Sequence, residues 1–305
     1  MMYLLLLVGF VLLIKGADLF VDGSSSVAGI LKVPSVIIGL TIVAMGTSAP
    51  EAAVSISAGL SGNSDISLGN IIGSNIFNLL MVIGVCAIIF PAASDKDILK
   101  RDMWWNIAIS ALLFILILDR KISRIDGGIL LTAFVIYIGV MIRSALKNRV
   151  NEQPQNLLPL SKSIIYIIAG LAAVVFGGDL VVDNAVKIAA SLGMSGTLIG
   201  LTIVAIGTSL PELVTSITAS KKGDSGIALG NAVGSCLFNI MFILGTASVL
   251  TPINAVTELI IDGGILIFVT VLMLIFAFTG KKTNRIEGII CVAAYAAYTA
   301  YIIIR

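Results

Sequence analysis

The fold class predicted by this sequence is an all-α integral membrane protein, with ten transmembrane helices arranged as two inverted five-helix repeats. Three observations carry that expectation. Hydrophobic residues make up 58% of the 305-residue chain and charged residues 12%, with a mean hydropathy of +1.10. A water-soluble globule always leaves a large polar face in solvent, so lipid is the expected surroundings. Residues 40–51, LTIVAMGTSAPE, return as 201–212, LTIVAIGTSLPE, at a displacement of 161 residues. Finally, the apolar runs fall five to each copy, and an odd number reverses the direction in which the second copy crosses the bilayer.

Runs of bilayer length, roughly 20 residues, lie near 2–25, 34–60, 68–90, 104–118 and 126–143. The second set lies near 163–186, 195–219, 229–250, 261–279 and 287–304. The opening MMYLLLLVGFVLLIKGADLFV has the apolar character of a signal peptide, but neither a basic leader nor a small-residue cleavage site. It also aligns with the internal segment 162–182, and is read as a retained first span. The displacement of 161 needs no gap: Asp18 maps to Asp179, Asp22 to Asp183, Gly69-Asn70 to Gly230-Asn231, and Arg124 to Arg285. The expected units are therefore residues 1–144 and 162–305, joined by a polar linker at 145–161.

Orientation follows from Lys and Arg in the short loops. With the N-terminus outside, thirteen fall on the inner side, from Lys32 to Arg285, and five on the outer: Arg120, Lys121, Arg124, Lys187 and Arg305. Both termini are thus expected outside a cell membrane, with the linker inside. Lys15 lies within a span, placed to snorkel or to pair with Asp18. The acidic loop residues Asp95, Asp97, Asp102 and Asp119 are expected to be solvated.

Composition also excludes chemistry. The net charge of +2 and the lack of basic clusters interleaved with aromatics argue against nucleic acid. There is no histidine, so imidazole metal ligands and Ser-His or Cys-His catalytic pairs are ruled out. Cys86, Cys236 and Cys291 stand apart in apolar runs, as packing residues do. Nothing points to an enzyme, a cofactor or an obligatory protein partner.

The chemistry is concentrated in the repeated motif. Glu51 and Glu212 sit deep inside apolar runs at matching depths, where a carboxylate costs on the order of 3 kcal/mol. No Lys or Arg shares their spans, which argues against a structural ion pair. Brought together near the midplane, two carboxylates must attract a divalent cation or be protonated. Thr47 and Ser48 precede Glu51 by four and three residues, on one helical face. Pro50 has no N–H to give the Gly46 carbonyl, so a broken helix would present carbonyls from Ala44 to Gly46. Ala205, Thr208, Ser209 and Pro211 repeat these parts around Glu212. Ser74 and Asn78, with Ser235 and Asn239, add further oxygens at four-residue spacing. The Gly69/Gly73 and Gly230/Gly234 pairs read as faces for close helix approach. Together these groups supply the six to eight hard oxygens that Ca²⁺ prefers, and Na⁺ uses the same ligand type. Ser55, Ser57, Thr215 and Ser216 read as ordinary helix-to-helix or own-carbonyl donors. Asp18, Asp22, Asp179 and Asp183 read as helix-end carboxylates, with ion access as the alternative.

At these residues the chain resembles the sodium/calcium exchanger family of the Ca²⁺/cation antiporter superfamily. The resemblance lies in GTSAPE at 46–51 with GNIIGSNIFN at 69–78, and GTSLPE at 207–212 with GNAVGSCLFN at 230–239. It extends over the whole chain in the ten-span layout of prokaryotic members. It implies electrogenic exchange of several Na⁺ for one Ca²⁺ by alternating access. Glu51 and Glu212 would hold Ca²⁺, and Ala44, Thr47, Ser48, Ala205, Thr208 and Ser209 would help hold Na⁺. Ser74, Asn78, Ser235 and Asn239 would complete the site, with the first span of each copy sliding across the core as a gate. Asn239 stands where potassium-dependent relatives carry Asp, which argues against K⁺ co-transport. The Gly-Thr-Ser motif favours Na⁺ over H⁺ coupling. H⁺/Ca²⁺ antiport through the same carboxylates and a cation channel remain alternatives. An intramembrane hydrolase using Ser48 or Ser209 lacks a histidine base.

Overall fold

The structure, a computed structural model, describes residues 1–91, 96–149, 157–194, 205–279 and 284–304. These residues are nearly all helical. In chain order they form α1 (Met2–Leu31), α2 (Ser35–Thr47), α3 (Ala49–Leu60), α4 (Asp65–Ile89), α5 (Lys96–Ile117) and α6 (Arg124–Lys147). The second half continues with α7 (Leu160–Ser191), a short turn Ala205–Gly207, α8 (Leu210–Lys221), α9 (Ser225–Leu250), α10 (Thr257–Thr279) and α11 (Arg285–Ile304). A two-residue antiparallel pair, β1 (Lys121–Ile122) with β2 (Ile253–Asn254), ties two loops together.

Seven described helices are long and apolar enough to cross a membrane: α1, α4, α6, α7, α9, α10 and α11. The pair α2 and α3, bent by 49° across its break, makes an eighth if taken as one span. The ten expected spans also include α5, whose first seven residues carry five charges, and the stretch 195–219. Residues 195–204 of that stretch lie outside the described residues, as does the middle of the polar linker, at 150–156.

The break between α2 and α3 has a local cause. Pro50 is the second residue of α3, and Ser48 leaves helical geometry at φ −82°, ψ 12°. A prolyl nitrogen has no hydrogen for the Gly46 carbonyl, and its ring crowds the preceding turn. Ser209 repeats this conformation (φ −94°, ψ 7°) ahead of Pro211 and α8. As a result Glu51 and Glu212 each fall in the first turn of a 12-residue helix. There the unpaired N–H groups and the helix dipole favour negative charge.

α4 and α9 form the centre. Within their apolar windows 78% and 94% of residues are buried, against 22% for α6 and α11, which line the periphery. Both central helices widen into a π-helical turn, one beginning at Asn78 and the other at Asn239. Such turns break the regular ladder and often mark functional sites.

α1 and α7 pack along each other outside this centre. A Cβ added at Gly16 would lie 2.8 Å from the Val174 nitrogen, and one at Gly170 would lie 2.5 Å from the Phe20 nitrogen. The two backbones touch directly, so a larger side chain at either position must separate the helices. Close approach at Gly230 and Gly234 is equally direct, against Val36 and Leu40. The positions equivalent to those partners, 197 and 201, lie outside the described residues, so that expectation for Gly69 and Gly73 falls there too.

Two readings of charged residues need correction. Asp102, expected to be solvated, is fully buried. Its neighbour Arg101 wraps back onto it with contacts of 3.0–3.1 Å and reaches Ser144 Oγ at 2.6 Å. An adjacent guanidinium supplies the pairing that water would otherwise give. Asp18 pairs not with Lys15 but with Lys222, whose Nζ lies 3.4 Å from Asp18 and 2.7 Å from Asp22. Lys15 is one helical turn before Asp18 on the same helix, whereas Lys222 leaves the end of α8 and points across at both carboxylates.

Candidate functional site

The two glutamates meet through their serines. Ser48 Oγ donates to Glu212 Oε1 at 2.8 Å, and Ser209 Oγ donates to Glu51 Oε1 at 2.9 Å. Each serine stands three residues before the glutamate of its own half, yet each bonds the glutamate of the other half. All four residues are fully buried. The two helix breaks therefore lie against each other, with carboxylates and hydroxyls crossed between them.

Further oxygens surround this square. Ser235 Oγ lies 3.4 Å from Glu212 Oε1 and 3.5 Å from the Ala44 carbonyl. The Ala44 carbonyl also accepts the Ser48 N–H at 3.1 Å. It is thus not left bare by the break, although an oxygen with two lone pairs retains further capacity. Ala205 occupies the short turn just before Thr208.

Thr47 and Thr208 are set by asparagines that the motif chemistry alone does not single out. Asn231 Nδ2 donates to the Glu212 carbonyl at 3.2 Å and to Ser216 Oγ at 3.0 Å. Only the amide nitrogen can donate to a carbonyl, so Asn231 Oδ1 must face the other way, toward Thr47 Oγ1 at 2.9 Å. Asn231 Oδ1 is the nearest of three acceptors for the single Thr47 hydroxyl hydrogen, ahead of the Val43 carbonyl at 3.1 Å and the Ala44 carbonyl at 3.4 Å, and the Thr47 lone pairs are left to accept. Asn70 does the same in the other half. Its Nδ2 reaches Ser55 Oγ at 2.9 Å and the Glu51 carbonyl at 3.4 Å, and its Oδ1 lies 3.5 Å from Thr208 Oγ1. Ser55 and Ser216 thus act as interhelical supports, as expected. The signal for the asparagines was present: Gly-Asn recurs at 69–70 and 230–231 within apolar sequence.

Ser74 and Asn78 make no hydrogen bond to Glu51. They lie on α4, which packs against α3. The Ser74 hydroxyl and both amide atoms of Asn78 are buried without a hydrogen-bond partner. Asn239 differs, since its Nδ2 donates to Asn75 Oδ1 at 3.0 Å and only its Oδ1 is left over. Oε2 of Glu51 and of Glu212 are likewise buried without partners.

A buried acceptor left unpaired costs about 1–3 kcal/mol, and more if charged. Two such carboxylate oxygens with neutral oxygens on the same helices form an arrangement that a cation would satisfy. Among the described residues no group of three or more His, Cys, Asp or Glu could hold a metal. The site thus offers two carboxyl groups and otherwise neutral oxygens. That donor set suits hard cations, and its low charge suits ions that must leave again.

Away from this centre, Asp224 accepts from Ser25 Oγ at 2.8 Å and Ser35 Oγ at 2.7 Å. These residues line a cavity of about 600 Å³ with Lys32, Asp22 and Lys222, between the end of α1 and the start of α9. Asp179 and Asp183 are exposed but lie within α7 (Leu160–Ser191), well before its end, so they are not the helix-end carboxylates expected.

Comparison with known proteins places this arrangement among others. The family model described as sodium/calcium exchanger protein matches residues 1–143 and again 162–304. The putative antiporter CaxA of Alkalimonas amylolytica is 39% identical, the alignment covering 96% of this chain and 95% of that protein. The sodium/calcium exchanger MaX1 of Methanosarcina acetivorans is 33% identical, with 97% of each covered. Among solved structures, the sodium-calcium exchanger NCX_Mj soaked with Na⁺ and Sr²⁺ superposes with a TM-score of 0.87 at 34% identity. That superposition covers 98% of this chain and 97% of the other.

Proposed function

Because the chain belongs to the sodium/calcium exchanger family, a family of multi-pass membrane transporters and not enzymes, we propose that it exchanges Na⁺ for Ca²⁺ at one central site. Glu51 and Glu212 are the charged ligands of that site. Thr47, Ser48, Ser74, Asn78, Thr208, Ser209, Ser235 and Asn239 supply neutral oxygens, with the Ala44 and Ala205 carbonyls. The observation that carries the reading is the crossed bonding of Ser48 to Glu212 and Ser209 to Glu51, which leaves one oxygen of each carboxylate unpartnered.

Mechanism follows from electrostatics. One Ca²⁺ neutralises both carboxylates, and two or more Na⁺ at the same oxygens do so as well. Either load lets the centre pass between its two access states without a bare double charge in a water-poor environment, which is strongly penalised. The empty, doubly charged centre resists that passage, so outward movement of one ion requires inward movement of the other. This is antiport and not leakage, and it disfavours the channel alternative. Na⁺ is the proposed partner, in preference to H⁺, because neutral oxygens outnumber carboxylates around the pair. A proton needs only the carboxylates.

The proposed framework is ten spans in two inverted units, 1–144 and 162–305, with 145–161 between them on the inner side and both termini outside the cell membrane. Contacts between positions 161 apart in role, such as Ser48–Glu212 with Ser209–Glu51, are what such a pairing produces. In this frame α1 and α7 form the moving layer. Their direct backbone contact suits a pair that slides as one body over the core.

The test is labelled-Ca²⁺ uptake into vesicles holding the purified protein, with Na⁺, K⁺ or pH gradients imposed singly. Uptake driven by an outward Na⁺ gradient alone is the expected result. Uptake driven by the pH gradient without Na⁺ would replace Na⁺ by H⁺ in this scheme.

A further inference from the structure

Positions 75 and 236 are 161 apart and so occupy the same place in the two halves, yet one is Asn and the other Cys. They touch each other. Asn75 Nδ2 donates to the Cys236 carbonyl at 3.1 Å, and Cys236 Sγ lies 3.6 Å from the Asn75 carbonyl. Both residues are fully buried.

This contact sets an amide in the site. The Cys236 carbonyl can only accept, so it fixes which end of the Asn75 amide carries the nitrogen. Asn75 Oδ1 is then forced toward Asn239, which must answer with its Nδ2, at 3.0 Å. The Oδ1 of Asn239 is consequently turned away from Asn75, buried and unpartnered. By the 161-residue displacement, the residue that matches Asn75 for the equivalent asparagine, Asn78, is Cys236. A thiol is a weak hydrogen-bond partner beside an amide, and both amide atoms of Asn78 are buried without partners.

We infer that Asn75 is a positioning residue that makes the two asparagines of the site unequal: Asn239 presents its oxygen already oriented, while Asn78 must orient on binding. This rests on the proposed site and deepens it. An oriented ligand does not lose rotational freedom when the ion arrives, whereas a free one does. The Asn239 side of the centre is therefore the prepared side and the Asn78 side the adaptable one, although the motifs around them are near-copies.

The test is Ca²⁺ titration calorimetry on the purified full chain in detergent, comparing Asn78→Ala with Asn239→Ala in three backgrounds. In the natural background, Asn239→Ala weakens Ca²⁺ binding about threefold to tenfold more than Asn78→Ala. In an Asn75→Cys background, with the same residue on both sides of the contact, the two substitutions become equal. In the exchanged background, Asn75→Cys with Cys236→Asn, their order reverses. If Asn75 only fills space, Asn239→Ala stays the costlier in every background, and that result overturns the inference. Equal costs in the natural background overturn it as well. Should the exchanged background not fold, the Asn75→Cys comparison alone decides. If neither asparagine substitution affects binding in any background, the proposed ligand set fails first, and the inference falls with it.

Discussion

Ser48, in the first half of the chain, gives its hydroxyl hydrogen to Glu212, in the second, across 2.8 Å of protein interior. Ser209 returns the contact to Glu51 at 2.9 Å. Each carboxylate thus has one oxygen held by the opposite half and one left over. Neither half can place its glutamate without the other's serine.

Loss of either charge should therefore stop transport without unfolding the chain. Glu51→Gln and Glu212→Gln keep the side-chain shape and an oxygen for the serine, but leave one negative charge where a divalent ion needs two. Reconstituted variants are expected to show no Na⁺-driven Ca²⁺ uptake while eluting as folded protein in size-exclusion chromatography. Uptake near the natural rate would contradict the assigned roles.

The crossed geometry gives the two serines the same role, although Glu212 Oε1 also has Ser235 Oγ at 3.4 Å. Ser48→Ala and Ser209→Ala each remove one hydrogen bond to a carboxylate, worth about 1.5–3 kcal/mol. The half-saturating Ca²⁺ concentration is expected to rise roughly tenfold or more in both. A tenfold difference between the two variants would show that the halves are not used alike at this contact.

Asn231 acts at one remove, by drawing the Thr47 hydrogen away from the centre. Asn231→Leu removes the acceptor and frees Thr47 to donate to the Val43 carbonyl, already 3.1 Å away. Binding of Na⁺ and of Ca²⁺ should both weaken, by about threefold to tenfold for one lost oriented oxygen. Titration of the two ions separately measures this. Unchanged affinity for both would mean that Thr47 needs no orienting.

How much of this was legible in the sequence differs by residue. Pro50 and Pro211 announced the breaks, because a missing N–H is a property of the residue itself. Glu51 and Glu212 stood out because charge inside an apolar run is costly wherever the chain folds. Asn70 and Asn231 were visible as repeated Gly-Asn pairs, but their role depends on which end of an amide faces which carbonyl, and that requires coordinates. Asp102 was misread for a related reason. A carboxylate beside an arginine at a helix start is solvated or buried according to what packs around the pair, and here Arg101 reaches Met141 Sδ at 3.4 Å and Ser144 Oγ at 2.6 Å on α6. Lys222 could not be assigned to Asp18 and Asp22, since 204 and 200 residues separate them.

That lysine carries its own expectation. Lys222 clasps α1 to the end of α8 through two half-exposed carboxylates, on the side proposed to face the cytoplasm. The equivalent of Lys222 in the first half is Ser61, so Asp179 and Asp183 have no lysine at that position. Lys222→Ala should favour opening on the clasped side by up to about fivefold, the range of a partly exposed ion pair. Labelling of a Ser25→Cys variant by a membrane-impermeant thiol reagent reads this out, since the natural cysteines are buried. A labelling rate unchanged by Lys222→Ala would remove the clasp from the mechanism.

Ion occupancy should also appear as stability. Ca²⁺ that binds only the folded chain adds about 2.7 kcal/mol at a hundred times its dissociation constant. The natural protein is expected to melt at a higher temperature with Ca²⁺ than without, and Glu212→Gln to show no such rise.

The most direct measurement is the number of Ca²⁺ ions bound per chain, by calorimetry or equilibrium dialysis, in the natural protein and in Glu51→Gln and Glu212→Gln. A single pocket shared by both glutamates predicts one Ca²⁺ per chain, lost entirely in either variant. Two Ca²⁺ per chain, with each substitution removing one and sparing the other, would mean that the carboxylates work apart.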